Sequence, residues 1–370
     1  MNNFSMSFTS ISFTRLLTAL LLFSLMASGP RPAAQDEPSR LKVNVDLVQL
    51  SIAVTDRKGN YVTGLKPDDF VITEDKIPEK IANFEENSRA IKHAEVSPSP
   101  QAEPAQAMPP QIAPAGNAQA AAEPDSTSIS SVSGTSIFIL FDTSNYMYKG
   151  FVYAQDAICD FVRSLDDVNR LAFYSYSRNL SRAALLTSDH YRVVNGVRST
   201  VAGDDAALYN SLLMTVNDSA HITGKKAIVV FSNGPDNASS VPPEDVAELA
   251  QSTGTIIYIV STRLAEQEPI SAAAFARMSK ATGGKAYFAG NWTQEKQAFA
   301  AIRDDLGHLY TINYYPQPNS NRGWRSISVK LVGKEMQKYH VRTRDGYALI
   351  QSRAGRDAAY ASSAPEIDVK

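Results

Sequence analysis

Three runs of apolar residues without polar interruptions most constrain how this chain can fold. They occupy residues 137–141, 227–231 and 256–260. A strand with one exposed face alternates apolar and polar residues, whereas a strand buried on both faces does not, so these runs are typical of the centre of a parallel sheet. Helical patterns lie between them. This alternation predicts an α/β fold with a doubly wound, mostly parallel sheet and right-handed crossovers.

Weaker patterns complete this expected sheet. Residues 171–176 and 286–289 are predicted strands, and residues 180–186, after a tight turn, are predicted to form an antiparallel edge strand. Helices are expected over residues 154–165, 206–216, 243–251, 271–282 and 294–309. The single cysteine, Cys159, falls in the apolar phase of the first helix. We expect it to be buried, and one cysteine can form neither an internal disulfide nor a cysteine-based metal cluster.

Short β segments flank the α/β region. Residues 43–55, 70–74 and 81–84 have strand patterns before it, and residues 310–315, 326–332 and 339–344 have them after it. Each group is too small to bury a good core by itself. We therefore predict one small β domain, built from the N-terminal and C-terminal strands together, with Trp324 in its core.

The predicted domain boundaries follow changes in composition. Residues 1–34 contain a short apolar run after Arg15 and then small residues, which is typical of a signal peptide and indicates export to the periplasm or the exterior. An uncleaved anchor is the alternative. The remaining segments are the N-terminal β strands (41–92), a disordered linker rich in proline and alanine (93–131), the α/β domain (132–309), the C-terminal β strands (310–350) and a disordered tail (351–370).

The charge balance argues against one class of partner. The 370 residues include 36 basic and 38 acidic side chains, a net charge of −2, with no basic stripe interleaved with aromatic residues. Surfaces that bind nucleic acid are basic, so we expect no nucleic acid as a partner. After the signal segment no run is apolar enough for a transmembrane helix.

Several segments near the expected carboxyl ends of strands carry a family resemblance. Asp142-Thr143-Ser144-Asn145-Tyr146 follows the first apolar run and resembles the Asp-x-Ser-x-Ser metal-ion-dependent adhesion site of von Willebrand factor type A domains. Residues 206–210, 232–237 and 281–288 resemble further motifs of that family. Residues 64–70, 74–75, 81–84 and 339–347 resemble segments of acidobacterial secreted proteins with a related domain. The resemblance covers residues 41–350 apart from the linker.

The resemblance implies a site for Mg²⁺ or Ca²⁺, ions that prefer several hard oxygen ligands. In this sequence the second hydroxyl position is Tyr146, the threonine position is Ala206 and the second carboxylate position is Asn233. We therefore expect a degenerate site at which any Mg²⁺ or Ca²⁺ would bind weakly. The sequence predicts no cofactor with certainty. The candidate ligands of this site are Asp142, Ser144, Asp205 and Asn233. The structural alternative for Asp142 is that it caps the following helix or bonds the loop backbone.

A recognition face is predicted beside this site, since aromatic side chains anchor interfaces. Its candidate residues are Tyr146, Tyr148, Asp204 and Asp236; helix packing is the alternative for the aromatic residues.

The sequence has no nucleophile elbow, Walker loop or dinucleotide-binding fingerprint, so we expect no enzyme. The predicted function is an exported, non-catalytic protein-binding module of the adhesion type. The alternative is a structural or assembly component of a cell-envelope complex with a vestigial metal site. The partner is a protein that the sequence does not identify.

Overall fold

The three apolar runs form neighbouring strands of a six-stranded sheet in the computed structural model, which describes residues 47–86, 134–165 and 169–349. The signal segment, the linker and the C-terminal tail predicted from the sequence lie outside the described residues. The strands are β1 (Val48–Thr55), β2 (Phe70–Glu74), β3 (Ile77–Glu79), β4 (Ile81–Glu86), β5 (Ser136–Asp142), β6 (Arg170–Tyr176), β7 (Leu180–Thr187), β8 (Lys226–Ser232), β9 (Ile256–Ser261), β10 (Ala286–Phe288), β11 (Tyr310–Tyr314), β12 (Trp324–Leu331), β13 (His340–Arg342) and β14 (Gly346–Ala348).

Six α-helices are described: α1 (Phe151–Ser164), α2 (His190–Arg198), α3 (Leu208–Ala220), α4 (Pro243–Thr253), α5 (Pro269–Ala281) and α6 (Trp292–Leu306). The central sheet has the order β10-β9-β8-β5-β6-β7. All neighbours in it are parallel except β7, which runs antiparallel to β6 at the edge. The predicted α/β class with a mostly parallel sheet is confirmed.

Each central strand is buried on both faces, which explains the absence of alternation in its sequence. Along β5, Ile137, Ile139 and Phe141 face one apolar cluster with α1, α2 and α6. Phe138 and Leu140 face the opposite cluster with α3, α4 and α5. Burying one such side chain fully contributes about 1.5–3 kcal/mol, so the two clusters fix the register of the sheet.

Two smaller antiparallel sheets join the ends of the described chain. Their strand orders are β13-β1-β11-β4 and β14-β12-β2-β3, so each contains strands from both sides of the α/β region. Leu50 and Ile72 from the N-terminal strands pack with Tyr310 and Ile327 from the C-terminal strands in one shared core. Terminal strands that cannot bury a core separately thus do so together, as the sequence predicts.

The structure corrects the sequence-based picture at several points. Trp324 is 41% exposed at the start of β12 and does not lie in the β core. The strand pattern at residues 70–74 continues into a tight turn and a further strand: Asp75 and Lys76 have positive φ, and β3 begins at Ile77. Helix α2 was missed, although Asp189 caps its first amides (Tyr191 and Arg192). Cys159 is free and fully buried, as expected.

Candidate functional site

The candidate site begins at Asp142, the last residue of β5. From β5 the chain continues to β6 on one side of the sheet, whereas β8, β9 and β10 lie on the other side. Loops that leave neighbouring strands in opposite directions open a crevice at the carboxyl end of the sheet, which is where α/β proteins bind ligands. The fold therefore positions Asp142 at the topological switch point.

The Asp142 carboxylate is fully buried and held from two sides. Its Oδ1 accepts a hydrogen bond from the Ser144 amide at 2.9 Å, and its Oδ2 accepts one from the Ser232 hydroxyl at 2.7 Å. Burial raises the pKa of Asp142, and these hydrogen bonds oppose that rise without cancelling it. A buried carboxylate without a positive partner is a group that a cation would stabilise.

Two further oxygens of the predicted site are buried without a hydrogen-bond partner: Ser144 Oγ and Asn233 Oδ1. The amide nitrogen of Asn233 donates to the main-chain oxygen of Tyr146 at 2.6 Å, which fixes the orientation of the side chain. Most buried polar atoms in proteins are paired. Both unpaired atoms are oxygens, the ligand type that Mg²⁺ and Ca²⁺ prefer.

Main-chain hydrogen bonds tie the three loops of the site together. The Asn145 amide donates to the Asp204 oxygen at 2.8 Å, and the Gly203 amide donates to the Thr143 oxygen at 2.7 Å. The Asn237 amide donates to the Ala206 oxygen at 3.0 Å. The loops that carry Asp142, Ala206 and Asn233 are thus brought together.

The candidate ligand Asp205 and the candidate face residues Asp204 and Asp236 have other contacts. Asp205 forms an ion pair with Arg178 at 2.9 Å. Asp236 accepts hydrogen bonds from the amides of Tyr209, Ala238 and Ser239, which shapes its loop and the start of α3. Asp204 is exposed and contributes its main-chain oxygen to the loop contact with Asn145.

Sequence reasoning missed two residues around Asp142. Ser232 ends β8 and Tyr176 ends β6, the two strands that flank β5. The Tyr176 hydroxyl donates to Ser232 Oγ at 3.2 Å, and Ser232 in turn donates to Asp142. In the sequence, both residues are visible as polar positions at the ends of apolar strands. Their contact with Asp142 could not be predicted, because it depends on the order of the strands in the sheet.

The aromatic residues that follow Asp142 divide between surface and core. Tyr148 is 74% exposed and Tyr146 is 40% exposed on the short helical segment after Asp142. Phe151 instead packs on Phe141, with ring centroids 5.5 Å apart. Helix packing thus accounts for Phe151, while Tyr146 and Tyr148 present their rings at the rim of the loops.

These donors fit a cation only in part. Asp142, Ser144 and Asn233 offer oxygen atoms of the kind that Mg²⁺ and Ca²⁺ prefer, but only one of the three residues carries a charge. Ala206 has no side-chain oxygen at the position where the family has threonine. Among the described residues, no group of three or more His, Cys, Asp or Glu side chains could hold a metal ion. The donor set therefore suits a loosely held, largely hydrated ion.

No family model matches the sequence, and no curated protein matches it significantly. Solved structures with similarity include the conserved hypothetical protein BatB from Bacteroides thetaiotaomicron, at 15% identity and a TM-score of 0.39, over 46% of this chain and 100% of that chain. A von Willebrand factor type A protein from Catenulispora acidiphila matches at 11% identity and a TM-score of 0.42, over 57% of this chain and 66% of that chain.

The vWF domain of the type V pili tip protein Mfa5 from Porphyromonas gingivalis matches at 20% identity and a TM-score of 0.27, over 28% of this chain and 38% of that chain. Likenesses this distant do not indicate what this chain binds. In the described part of the chain, no helix has the length and apolar character needed to cross a membrane. The sheet order and the loops gathered at its carboxyl end, together with the sequence motifs, make the α/β part of the chain similar to a von Willebrand factor type A domain.

Proposed function

We propose that this chain is an exported, non-catalytic protein-binding module of the adhesion type, whose partner docks on the loops at the carboxyl end of the central sheet. The observation that carries the proposal is the exposure of Tyr146 and Tyr148 on the segment that follows the buried residues Asp142 and Ser144. Interfaces depend on a few aromatic anchors surrounded by polar groups. The rim of this site has that composition.

The rigidity of the loops supports a binding role. The main-chain hydrogen bonds among the Asp142, Ala206 and Asn233 loops hold the rim before a partner arrives. Binding to an ordered surface avoids part of the entropy cost of fixing loops in the complex. A partner can therefore gain affinity from a small number of anchors.

A divalent cation has a secondary part in this proposal. If Mg²⁺ or Ca²⁺ binds, Asp142, Ser144 and Asn233 would hold it, and it would supply a positive charge that attracts a carboxylate of the partner. Only one charged ligand is present, so we propose that partner binding does not require a tightly held ion.

The test compares tyrosine variants in affinity purification from the envelope and exterior fractions of the source cells. Tyr148→Ala removes an anchor of the proposed face. Tyr191→Ala is the matched control, because Tyr191 on α2 is 73% exposed and Tyr148 is 74% exposed. Proteins retained by the wild type and by Tyr191→Ala, but lost from Tyr148→Ala and Tyr146→Ala, would support the proposal.

The same experiment distinguishes the proposed binding role from the structural alternative. A scaffold that uses other surfaces would retain the same proteins in all four forms of the chain. That result would remove the loop rim as the docking face and favour a structural or assembly role.

A further inference from the structure

A cleft of about 340 Å³ opens next to the Asp142 loops. Its volume is at the lower end of the range for ligand pockets, which suits a single side chain or a small molecule. Asn233 lines the cleft and also belongs to the candidate metal site, so the two are continuous. We call it the Glu295 cleft; the lining residues that matter here are Tyr146, Tyr153, Asn233, Arg263, Trp292 and Glu295.

Glu295 is the unusual feature of this cleft. It lies in the first turn of α6 and is only 9% exposed. Burial raises the pKa of its carboxyl group, and no neighbouring charge or hydrogen bond opposes the rise. The N-terminal end of α6 favours a negative charge, but this effect is weak at a helix end. Among the described residues no cation pairs with this carboxylate, and a carboxylate held largely out of water without a positive partner is costly.

Two exposed aromatic side chains line the same cleft as this carboxylate. Tyr153 is 67% exposed and Trp292 is 59% exposed. Aromatic faces attract cations, and flat rings also cover the aliphatic stem of a long basic side chain. Lys296 lies 5.6 Å from the centroid of the Trp292 ring, but its ammonium group is paired with Asp160 at 2.8 Å. It therefore does not neutralise Glu295.

Arg263 is the other charged residue named in the cleft. Its guanidinium forms no ion pair with Glu295 among the described contacts, and the residue is only partly buried. A solvated guanidinium needs no partner, whereas a desolvated carboxylate does. The charge that the cleft lacks is therefore positive.

We propose that the Glu295 cleft receives a basic side chain, lysine or arginine, of the protein partner. The charged end pairs with the Glu295 carboxylate, and the stem lies between Tyr153 and Trp292. The proposal rests on the proposed function, because the cleft adjoins the loop rim on which the partner docks. The proposal adds that the partner presents one basic side chain to this cleft.

The test uses small probes on the full chain. N-acetyl-lysine methylamide carries the proposed group, N-acetyl-norleucine methylamide has the stem without the charge, and n-butylamine is a free amine without a peptide backbone. Binding is followed by ligand-observed saturation-transfer NMR and by intrinsic tryptophan fluorescence, to which both Trp292 and Trp324 contribute. The variants are Glu295→Gln and, as a matched control, Glu248→Gln, which makes the same change at an exposed position on α4.

The lysine probe is expected to bind the wild type and Glu248→Gln equally and Glu295→Gln at least about ten-fold more weakly, the loss of one charge-assisted hydrogen bond. The norleucine probe is expected to bind more weakly than the lysine probe. Equal binding of the two, or lysine binding unaffected by Glu295→Gln, would overturn the proposal. Binding of butylamine without binding of the lysine probe would also overturn it, since the cleft would then take a small free amine.

Thermal unfolding of the same variants checks that Glu295 is not structural. Glu295→Gln removes a desolvated charge without partners, so its melting temperature is expected to equal or exceed that of the wild type. A large decrease would show a structural role and count against the cleft. The probe experiment needs no natural partner, so its result is independent of the affinity purification. The probes can fail to bind while the tyrosine variants still lose their partner, and the probes can bind while the tyrosine variants retain it.

Discussion

Arg342 on β13 and Asp305 near the end of α6 form an ion pair in which one guanidinium nitrogen, Nη2, lies 2.5 Å from both carboxylate oxygens. Asp305 is fully buried, and the Arg342 side chain is 21% exposed. The hydroxyls of Tyr61 and Tyr258 donate to the same carboxylate at 2.6 Å and 2.5 Å. Tyr61 and Arg342 come from the two flanking β regions, so Asp305 joins both of them to the α/β domain.

Removing Arg342 is expected to destabilise the chain strongly. Arg342→Met keeps much of the side-chain volume but leaves a buried carboxylate without its main positive partner, which costs about 3–5 kcal/mol. Urea-induced unfolding measures the change. Arg303→Met is the control, because Arg303 pairs with Asp304 at 3.0 Å on the surface and such pairs contribute about 0–1 kcal/mol. Equal losses in the two variants would refute the buried-pair argument.

The same pair predicts how stability depends on pH. Burial opposes the charge on Asp305, but Arg342, Lys285 and the tyrosine hydroxyls outweigh it and hold the pKa of Asp305 below its ordinary value. A lowered pKa in the folded state contributes stability that is present above the ordinary value and is lost as the pH falls through the lowered one. Urea unfolding between about pH 2 and pH 5 should show a shallower acid loss for Arg342→Met than for the wild type.

Asp142 predicts a pH dependence of stability opposite to that expected from Asp305. Burial raises the pKa of Asp142, so its contribution to stability is present below the ordinary value and is lost as the pH rises through the raised one. Asp142→Asn should remove this part of the pH dependence while keeping an acceptor for the Ser144 amide. Melting temperatures measured across the acid range for the two proteins test it. Parallel curves would contradict the prediction.

Asn233→Asp should convert the loosely held cation site into a tighter one. The substitution restores a second carboxylate, and affinity for divalent ions rises with the number of charged ligands. Without metal the variant is expected to be about 1–3 kcal/mol less stable than the wild type, since a second buried charge lacks a partner. With millimolar Mg²⁺ the variant should gain more stability than the wild type does. Calorimetric titration with Mg²⁺ measures the affinity; an unchanged affinity would mean that these loops do not bind the ion.

Gly284→Ala is expected to destabilise the chain by about 1–3 kcal/mol or more, because overpacking strains a filled interior. A Cβ atom at this position would lie 2.7 Å from the carbonyl carbon of Ile257 and closer still to its oxygen. Gly150→Ala is the control, since nothing lies within 4 Å of a Cβ there and the backbone φ is −109°. Thermal unfolding compares them. A wild-type melting temperature for Gly284→Ala would contradict the close contact.

The sequence alone determined the elements whose signal is local. The unbroken apolar runs at β5, β8 and β9 follow directly from burial on two faces, and the helices between them follow from their periodicity. The motifs at Asp142 and Asn233 follow their strands without interruption, so their place at one end of the sheet could be predicted. The flanking strands were also recognisable, because alternation survives in short segments.

Tertiary structure decided what depends on residues far apart in the chain. Strand order sets Ser232 and Tyr176 on either side of Asp142, and the folded loops bring Asp205 into an ion pair with Arg178. The desolvation of Glu295 and the exposure of Trp324 are likewise properties of the packed chain. The burial of a side chain and its hydrogen-bond partners depend on segments that are distant in the sequence. The periodicity of apolar residues, in contrast, depends only on neighbouring residues. The folding pattern could therefore be predicted from the sequence, and the electrostatics of the site could not.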